Sequence, residues 1–425
     1  MTSNILARAK RPADIPQTPA TPPAPPETEA SLLAHAHELA REFAQQAADH
    51  DRTGAVPADQ IAALFRRGLL RLTIARRDGG HGAGLPLARR IVQTLAEGDP
   101  SVALIVAMHY SYHAGIARAR RKLPGAQSWP EALARTLIQD ALQAPALINA
   151  IQVEPELGSP SFGGLPKTIA RQEGRHWRIT GHKRYATGSH LLSWLAVLAM
   201  TDEASPRIGV FLVPRQTPGV HIIETWNPLG MRATASHDIQ FQDVAIPLNQ
   251  VIELHEASQG LRRDPQTLSW YFSLIASVYT GAAQSAQDWL TQFLTQRRPS
   301  ALAGGSLADL PTVQDTVGRI QLWLDASNAL LDHHADAYDQ GAADAAALGA
   351  VAKYTAVENA VQATALALEL AGNHGLSRDN PLERHYRDTQ CARIHSPPNP
   401  LLRGNAGRAI LQKASAGSSA PRPPA

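Results

Sequence analysis

The sequence predicts an α+β protein of several domains, in which a β-rich region separates two helical regions. Its 425 residues are more than one hydrophobic core usually needs. Apolar residues recur at helical spacing in the first and last thirds of the chain, whereas short alternating runs broken by Gly, Pro and Asp fill the middle. We predict a disordered Pro/Ala-rich tail (1–28), an N-terminal helical domain (29–145), a central β-barrel or sandwich (146–255), a C-terminal four-helix bundle (256–413) and a disordered tail (414–425).

Apolar stripes define the helices of the N-terminal domain. Leu32 to Phe43 form the first stripe, and Pro57 begins a second helix that we expect to continue through Leu70. Further stripes run from Leu85 to Leu95 and from Val102 to Ile116. Between them the glycine-rich segment 78–84 looks like a phosphate-binding loop. Because no strand precedes it, we favour a turn between helices.

Strand and bundle signals follow in order. Alternating or apolar runs predict strands at 177–183, 194–200, 207–214, 220–224 and 238–244. Long apolar-periodic segments predict helices at 268–295, 312–338 and 342–371, and a last helix begins after Pro400. Three such antiparallel segments are typical of a helix bundle. A bundle of this kind would expose apolar faces as a monomer, which predicts a homotetramer or dimer.

Composition excludes several classes of function. With 40 Lys+Arg against 37 Asp+Glu the net charge is +3. The sequence shows no concentrated cluster of basic residues, so we expect no nucleic-acid partner. The single cysteine, Cys391, excludes an internal disulfide and a thiolate metal cage and fits a cytoplasmic location. His333 and His334 point apart on a helix, so we expect no metal site. We expect no signal peptide, because no apolar core follows the basic residues of 1–12. We also expect no membrane span, because the longest apolar run, Leu191–Met200, is too short to cross a bilayer.

Several motifs occur together in one order along the chain. They are Asp78–Gly82, Asp99–Ala103, Glu154–Ser159, Gly181–Ser189, Trp226–Thr234, Gly372–Gly375 and Asn380–Asp388. This series resembles the acyl-CoA dehydrogenase superfamily of flavoenzymes over about residues 30–412. The resemblance implies the helix–β–helix fold of that superfamily, a bound flavin and a small-molecule substrate.

The resemblance also implies which residues hold the flavin. Tyr185 covers a face of the flavin ring, while Thr187, Ser189 and the backbone of residues 157–159 donate hydrogen bonds. That backbone belongs to Leu157, Gly158 and Ser159. The resemblance also implies that Gly372, in the C-terminal glycine motif, contacts the cofactor. Arg297 is placed like the arginine that meets the cofactor's phosphate.

Two bundle positions bear on the identity of the flavin. Gln314 matches a family glutamine, whereas Glu369 replaces another and Ser300 replaces a phenylalanine that holds the adenine half of FAD. A carboxylate beside a pyrophosphate is repulsive unless it is paired. We therefore favour FMN, and FAD remains an alternative.

The sequence departs from the acyl-CoA dehydrogenases at the catalytic base. Their glutamate follows the Arg-Asp motif by eight residues, which is Ser396 here, or lies on the first long bundle helix, near Tyr271. His395 stands beside the first address. In the flavin monooxygenases of this fold a histidine at this position helps to stabilise or protonate the flavin hydroperoxide. A lone histidine is more often structural, but the two empty base positions favour a catalytic His395 assisted by Ser396.

The resemblance therefore implies a monooxygenase that oxidises a small apolar molecule with O2 and reduced flavin from a separate NAD(P)H flavin reductase. One alternative is an acyl-CoA dehydrogenase with a relocated base, Glu383 or Asp388. Another is a non-catalytic relative that binds acyl groups or a partner protein. Val153 stands where many members of the superfamily have a hydroxyl residue near the flavin N5, so the resemblance implies one hydrogen-bond donor fewer at that position.

Overall fold

A helical region opens the fold. The computed structural model describes residues 27–123, 126–157, 161, 163–262 and 264–418, so most of the predicted tail 1–28 lies outside the described residues. Thr28 caps the first helix by accepting a hydrogen bond from the Ser31 amide at 3.1 Å. The N-terminal helices are α1 (Glu29–Ala44), α2 (Ala47–Thr53), α3 (Ala58–Arg66), α4 (Leu85–Gly98), α5 (Pro100–Arg120) and α6 (Glu131–Gln143).

The second predicted helix is shorter than expected. It ends at Arg66 because Gly68 takes a left-handed conformation, with φ of 71°, and a 3-10 turn follows. The expectation that this helix continues through Leu70 was therefore wrong. The glycine-rich segment 78–84 joins a 3-10 turn to α4, which confirms a turn between helices.

The central region forms one mixed sheet. Its strands are β1 (Leu147–Ile151), β2 (Ile169–Glu173), β3 (His176–Ala186), β4 (Leu192–Thr201), β5 (Arg207–Pro214), β6 (Val220–Ile223), β7 (His237–Pro247) and β8 (Val251–Glu256). The order is β6-β7-β3-β2-β4-β5-β8, and β1 pairs in parallel with β4. The five predicted strands are present, and β1, β2 and β8 are additional.

The C-terminal region is built around one buried helix. Its helices are α7 (Pro265–Gln296), α8 (Pro311–Asp339), α9 (Ala345–Ala371), α10 (Leu382–Gln390) and α11 (Asn399–Ser418). Asp264 caps α7, which packs against α4, α5, α8, α9 and α10. Helix α11 runs past Lys413, so the tail predicted from residue 414 begins inside a helix. No helix among the described residues is long and apolar enough to cross a membrane.

The Trp226–Thr234 segment connects the β region to both helical regions. Arg387 of α10 binds the Asp51 carboxylate of α2 at 2.6 and 2.9 Å and also donates to the Leu229 carbonyl at 2.9 Å. The next residue, Asp388, accepts a hydrogen bond from the Met231 amide at 2.5 Å. The Arg-Asp motif, Arg387 and Asp388, therefore anchors the Trp226–Thr234 segment to the C-terminal helices.

Candidate functional site

The turn after β3 presents an aromatic ring to the surface. Tyr185 has a left-handed backbone, with φ of 58°, and its side chain is 50% exposed. Its ring packs edge-on against Trp226 at 6.2 Å and carries the Arg184 guanidinium at 5.0 Å. A bulky residue is rarely left-handed, and such strain concentrates at functional sites. The fold therefore maintains an exposed aromatic platform at this turn.

Two hydroxyl residues follow Tyr185, and the structure separates their roles. Thr187 is half-buried, and its Oγ1 lies 3.0 Å from Ser236 Oγ. Ser189 is fully buried and donates to the Ala235 carbonyl at 2.8 Å. The proton of Ser189 thus serves the turn and is not free to donate to a cofactor, contrary to the role expected for it. Thr187 keeps a position from which it can reach a ligand.

A buried ion pair supports this turn from behind. Lys183 Nζ lies 2.6 Å from Glu154 Oε1, and both side chains are at most 2% exposed. Glu154 also accepts hydrogen bonds from the amides of Lys167 and Thr168 and from the Thr168 hydroxyl. Burial alone would raise the pKa of Glu154. The Lys183 charge and these hydrogen bonds outweigh burial, so the pKa of Glu154 lies below its usual value. The carboxylate is consequently charged and fully engaged, so it is not a candidate base.

His395 contacts the buried helix α7. Its Nδ1 lies 2.6 Å from the hydroxyl oxygen of Tyr279, and the residue as a whole is half-buried. Burial, with a smaller effect from the Lys353 charge, lowers the pKa of His395 to about 4. The imidazole is therefore neutral near pH 7.

A lysine of α9 fixes the loop that carries His395. Lys353 is fully buried and donates to Asn399 Oδ1 at 2.6 Å and to the carbonyls of Pro397 and His395 at 3.1 and 3.4 Å. Asn399 in turn donates to the Glu358 carboxylate at 2.8 Å. These bonds tie the loop to one helix, so the position of His395 depends on α7 and α9 together.

The loop of His395 meets the loop before β2. The hydroxyls of Ser396 and Ser161 share a hydrogen bond. Of the three predicted backbone donors, Leu157 is half-buried at the start of this loop, and Gly158 and Ser159 lie outside the described residues. The structure thus brings His395 and Ser396 to the loop in which the resemblance places the flavin ring.

The remaining predicted flavin residues lie together at the far end of the bundle. Arg297 follows the last residue of α7, Gln314 lies in the first turn of α8, and Glu369 and Gly372 end α9; all four are exposed. Arg297 lies 18 positions after Tyr279, just beyond the end of α7, which corresponds to a helical rise of about 27 Å. The predicted flavin residues of one chain therefore form two separate groups.

Both candidates for a relocated base have structural partners. Glu383 forms an ion pair with Arg387 at 2.7 Å, one turn away on α10. Asp388 is buried beneath the Trp226–Thr234 segment and accepts the Met231 amide. Both carboxylates are engaged in these contacts, so the geometry does not favour either one as the base.

Asp388 makes stability depend on pH. Burial raises the pKa of Asp388 to about 7, although the Met231 amide and Arg384 act against this shift. The unfolded value is about 3.9, so folding takes up a proton between these values and stability falls as pH rises from about 4 to about 7. We expect Asp388→Asn to be more stable than the wild type near pH 8 and nearly equal near pH 4, measured by urea unfolding. Asp344→Asn, at an exposed position, should show no such difference, and a wild type as stable as Asp388→Asn near pH 8 would contradict the buried-acid explanation.

Two residues of this site were not predicted from the sequence. Tyr279 lies among the small and apolar residues of α7, and nothing local distinguishes it from a core tyrosine. Lys353 could have been recognised from the sequence, because it is the one lysine in the mostly apolar segment 342–371. A buried lysine in such a helix needs acceptors, which indicates a polar loop packed on that face.

Comparisons with known proteins agree with this architecture. Residues 26–119 match the family described as the N-terminal domain of acyl-CoA dehydrogenase, residues 152–244 the middle domain, and residues 273–400 the C-terminal domain. The putative acyl-CoA dehydrogenase YdbM of Bacillus subtilis is 32% identical over 363 residues, which cover 85% of this chain and 91% of YdbM.

Solved structures share the fold. Butyryl-CoA dehydrogenase from Megasphaera elsdenii has a TM-score of 0.80 and 21% identity, over 90% of this chain and 98% of its own. The dibenzothiophene monooxygenase TdsC from Paenibacillus sp. A11-2 has a TM-score of 0.77 and 20% identity, over 90% and 97%. A further structure of TdsC contains FMN.

The described residues fit a flavin ring. Tyr185 offers an exposed aromatic face, and the half-buried Thr187 hydroxyl lies two residues away. An apolar surface for the ring and a few placed donors are what such a cofactor needs from its protein. With its three domain matches and the relationship to YdbM, the chain belongs to the acyl-CoA dehydrogenase superfamily and is a flavin-dependent oxidoreductase.

Proposed function

We propose that this protein is a monooxygenase that uses reduced flavin and O2 to oxidise a small, rather apolar molecule. The observation that carries the proposal is the Tyr279–His395 pair beside Ser396, at the position where a dehydrogenase of this superfamily keeps its base. A neutral imidazole with a hydrogen-bonded partner suits the stabilisation of a polar reacting group better than abstraction of a carbon-bound proton. The fold similarity to TdsC makes the same chemistry available to this scaffold.

The roles of the residues follow from their positions. When bound, the reduced flavin supplies the electrons that activate O2. Tyr185 shields one face of the ring, and Thr187 donates a hydrogen bond at its edge. His395 places a polar group over the reacting region, and Ser396 holds its loop against Ser161. The reduced flavin itself comes from a separate NAD(P)H flavin reductase.

We further propose that the cofactor is FMN and that the site is completed by a second copy of the chain. Arg297 and Gly372 lie too far along the bundle to reach a flavin held at Tyr185 of the same chain. In a homotetramer or dimer, the bundle end of one subunit can face the turn of another. The exposure of residues 403–415 of α11, with Ile410 and Leu411 each 69% exposed, supports such an assembly.

Rapid mixing tests the reaction. The protein loaded with reduced FMN is mixed with oxygenated buffer without substrate, and the flavin absorbance is followed. The proposal predicts a spectroscopic phase, distinct from reduced and oxidised flavin, that persists long after free reduced FMN has reoxidised under the same conditions. Direct reoxidation at the rate of free FMN would contradict it.

Acyl-CoA dehydrogenation is the second candidate, and the relationship to YdbM favours it. This reaction requires a carboxylate base near the thioester's α-carbon. It predicts that acyl-CoA bleaches bound FAD under anaerobic conditions, which the monooxygenase proposal does not. Bleaching that survives in both Glu383→Gln and Asp388→Asn would place the base elsewhere.

A further inference from the structure

The hydrogen bond between Tyr279 and His395 indicates which nitrogen of the imidazole carries the proton. The Tyr279 hydroxyl oxygen and His395 Nδ1 lie 2.6 Å apart, so either the phenol donates to Nδ1 or Nδ1–H donates to the phenol. The first arrangement puts the ring hydrogen of a neutral imidazole on Nε2, and the second puts it on Nδ1. Only one of them presents a donor on the side away from Tyr279.

The surroundings of Tyr279 distinguish the two. Tyr279 is fully buried, and among the described residues its hydroxyl has no hydrogen-bond partner other than His395. If Nδ1–H were the donor, the phenolic proton would be buried without an acceptor, which is unfavourable because a buried donor loses its bonds to water without replacement. Burial also raises the pKa of Tyr279 well above its usual value, so the phenol keeps this proton. The phenol must therefore donate.

The second ring nitrogen of His395 is not engaged by the described part of the chain. None of the described residues forms a hydrogen bond with Nε2, which leaves this nitrogen for a ligand. The charged and titratable groups around the pair are Lys353 of α9, Tyr271 of α7, and Asp388 and Cys391 at the end of α10. Lys353 disfavours a second proton on His395.

We propose that Tyr279 is a positioning residue that holds the neutral His395 imidazole in its Nε2–H tautomer, so that His395 acts as a hydrogen-bond donor in the flavin site. The tautomer is a property of the chain alone. Its use in the reaction rests on the proposed monooxygenase function. The assignment decides between two roles for this histidine, because a neutral Nε2–H donor stabilises a reacting oxygen without being a proton acid at neutral pH.

The tautomer can be read directly in the full-length, flavin-free protein. Histidine labelled with 15N in the ring gives long-range 1H–15N correlations that distinguish a protonated from an unprotonated ring nitrogen. The His395 signals are identified by their loss in His395→Gln. We expect the wild type to show Nε2–H and bare Nδ1, unchanged between about pH 5 and 8. Tyr279→Phe should raise the Nδ1–H to Nε2–H ratio about tenfold, the effect of one hydrogen bond.

A matched control removes a buried phenol elsewhere. Tyr110 is fully buried and donates to the Leu69 carbonyl at 2.8 Å, so Tyr110→Phe should leave the His395 signals unchanged. An Nδ1–H tautomer in the wild type, a charged His395 above pH 6, or an unchanged ratio in Tyr279→Phe would overturn the proposal. Because the wild-type spectrum alone gives the first two results, the test stands even if Tyr279→Phe does not fold.

Rapid mixing of Tyr279→Phe separates this proposal from the proposed function. If the tautomer is as assigned and the proposed function holds, the persistent phase should shorten about tenfold with little change in FMN affinity. If the wild type shows no persistent phase, the proposed function fails while the tautomer assignment stands. An altered tautomer with an unaltered phase in Tyr279→Phe would overturn the role of His395 as a donor.

Discussion

Replacing His395 with glutamine is expected to shorten the persistent phase seen after mixing reduced FMN-loaded protein with oxygen by at least about 100-fold, the lower end of the effect of removing one hydrogen-bond donor that stabilises a reacting oxygen. Glutamine keeps a polar side chain of similar reach, but it loses the ring that Tyr279 holds at 2.6 Å. Substrate oxidation should fall by a similar factor. The measurement is stopped-flow absorbance, with FMN affinity determined separately by fluorescence quenching.

A second histidine provides the control for this variant. His333 is exposed on α8, so His333→Gln should retain the wild-type lifetime and FMN affinity. A His395→Gln variant with a wild-type lifetime would show that the histidine is structural. Loss of FMN affinity together with lifetime would assign His395 to cofactor binding.

Replacing Lys183 with methionine is expected to lower the free energy of unfolding by about 3–5 kcal/mol, because it leaves Glu154 buried and charged without its partner. The contact is at 2.6 Å and is almost completely shielded from water. We also expect weaker FMN binding in this variant, because Lys183 lies two residues before Tyr185 on β3 and supports the turn that carries it. Urea unfolding of the flavin-free protein gives the stability change, and FMN titration gives the effect on binding.

The chain offers a surface pair of the same type as a control. Lys167 and Glu156 lie 2.9 Å apart with side chains that are each 73% exposed, so Lys167→Met should cost at most about 1 kcal/mol. Adding Glu154→Gln to Lys183→Met removes the uncompensated charge and should recover part of the loss. Equal effects of Lys183→Met and Lys167→Met would show that the buried pair contributes no more than an exposed one.

Much of the helical architecture could be predicted from local periodicity. The predicted helices 268–295, 312–338 and 342–371 agree closely with α7 (265–296), α8 (311–339) and α9 (345–371). Short elements were missed. Strand β1 is a mostly apolar five-residue run without alternation and β2 is mostly polar, so neither carries a clear alternating pattern. Helix α10 is only nine residues long, which is shorter than the window in which helical periodicity is read.

The two halves of the candidate site differed in predictability. His395 could be found by counting from the Arg-Asp motif. Its partner could not, since Tyr279 is 116 residues away and looks like a core residue of α7. Ser189 illustrates the opposite case, because its place in a motif indicated a ligand donor while its burial assigns the hydroxyl to Ala235.

By itself the sequence determined the helix–β–helix order of the three regions, the superfamily, the flavin and the empty base positions, because these depend on local spacing and on motifs that are continuous in the chain. Only the tertiary structure decided that a tyrosine of α7 meets His395, that Lys353 holds its loop, and that the predicted flavin residues divide between two ends of the bundle. Those relations arise from how helices pack across more than a hundred residues, and side-chain pairing at that separation leaves no periodic signal in the sequence.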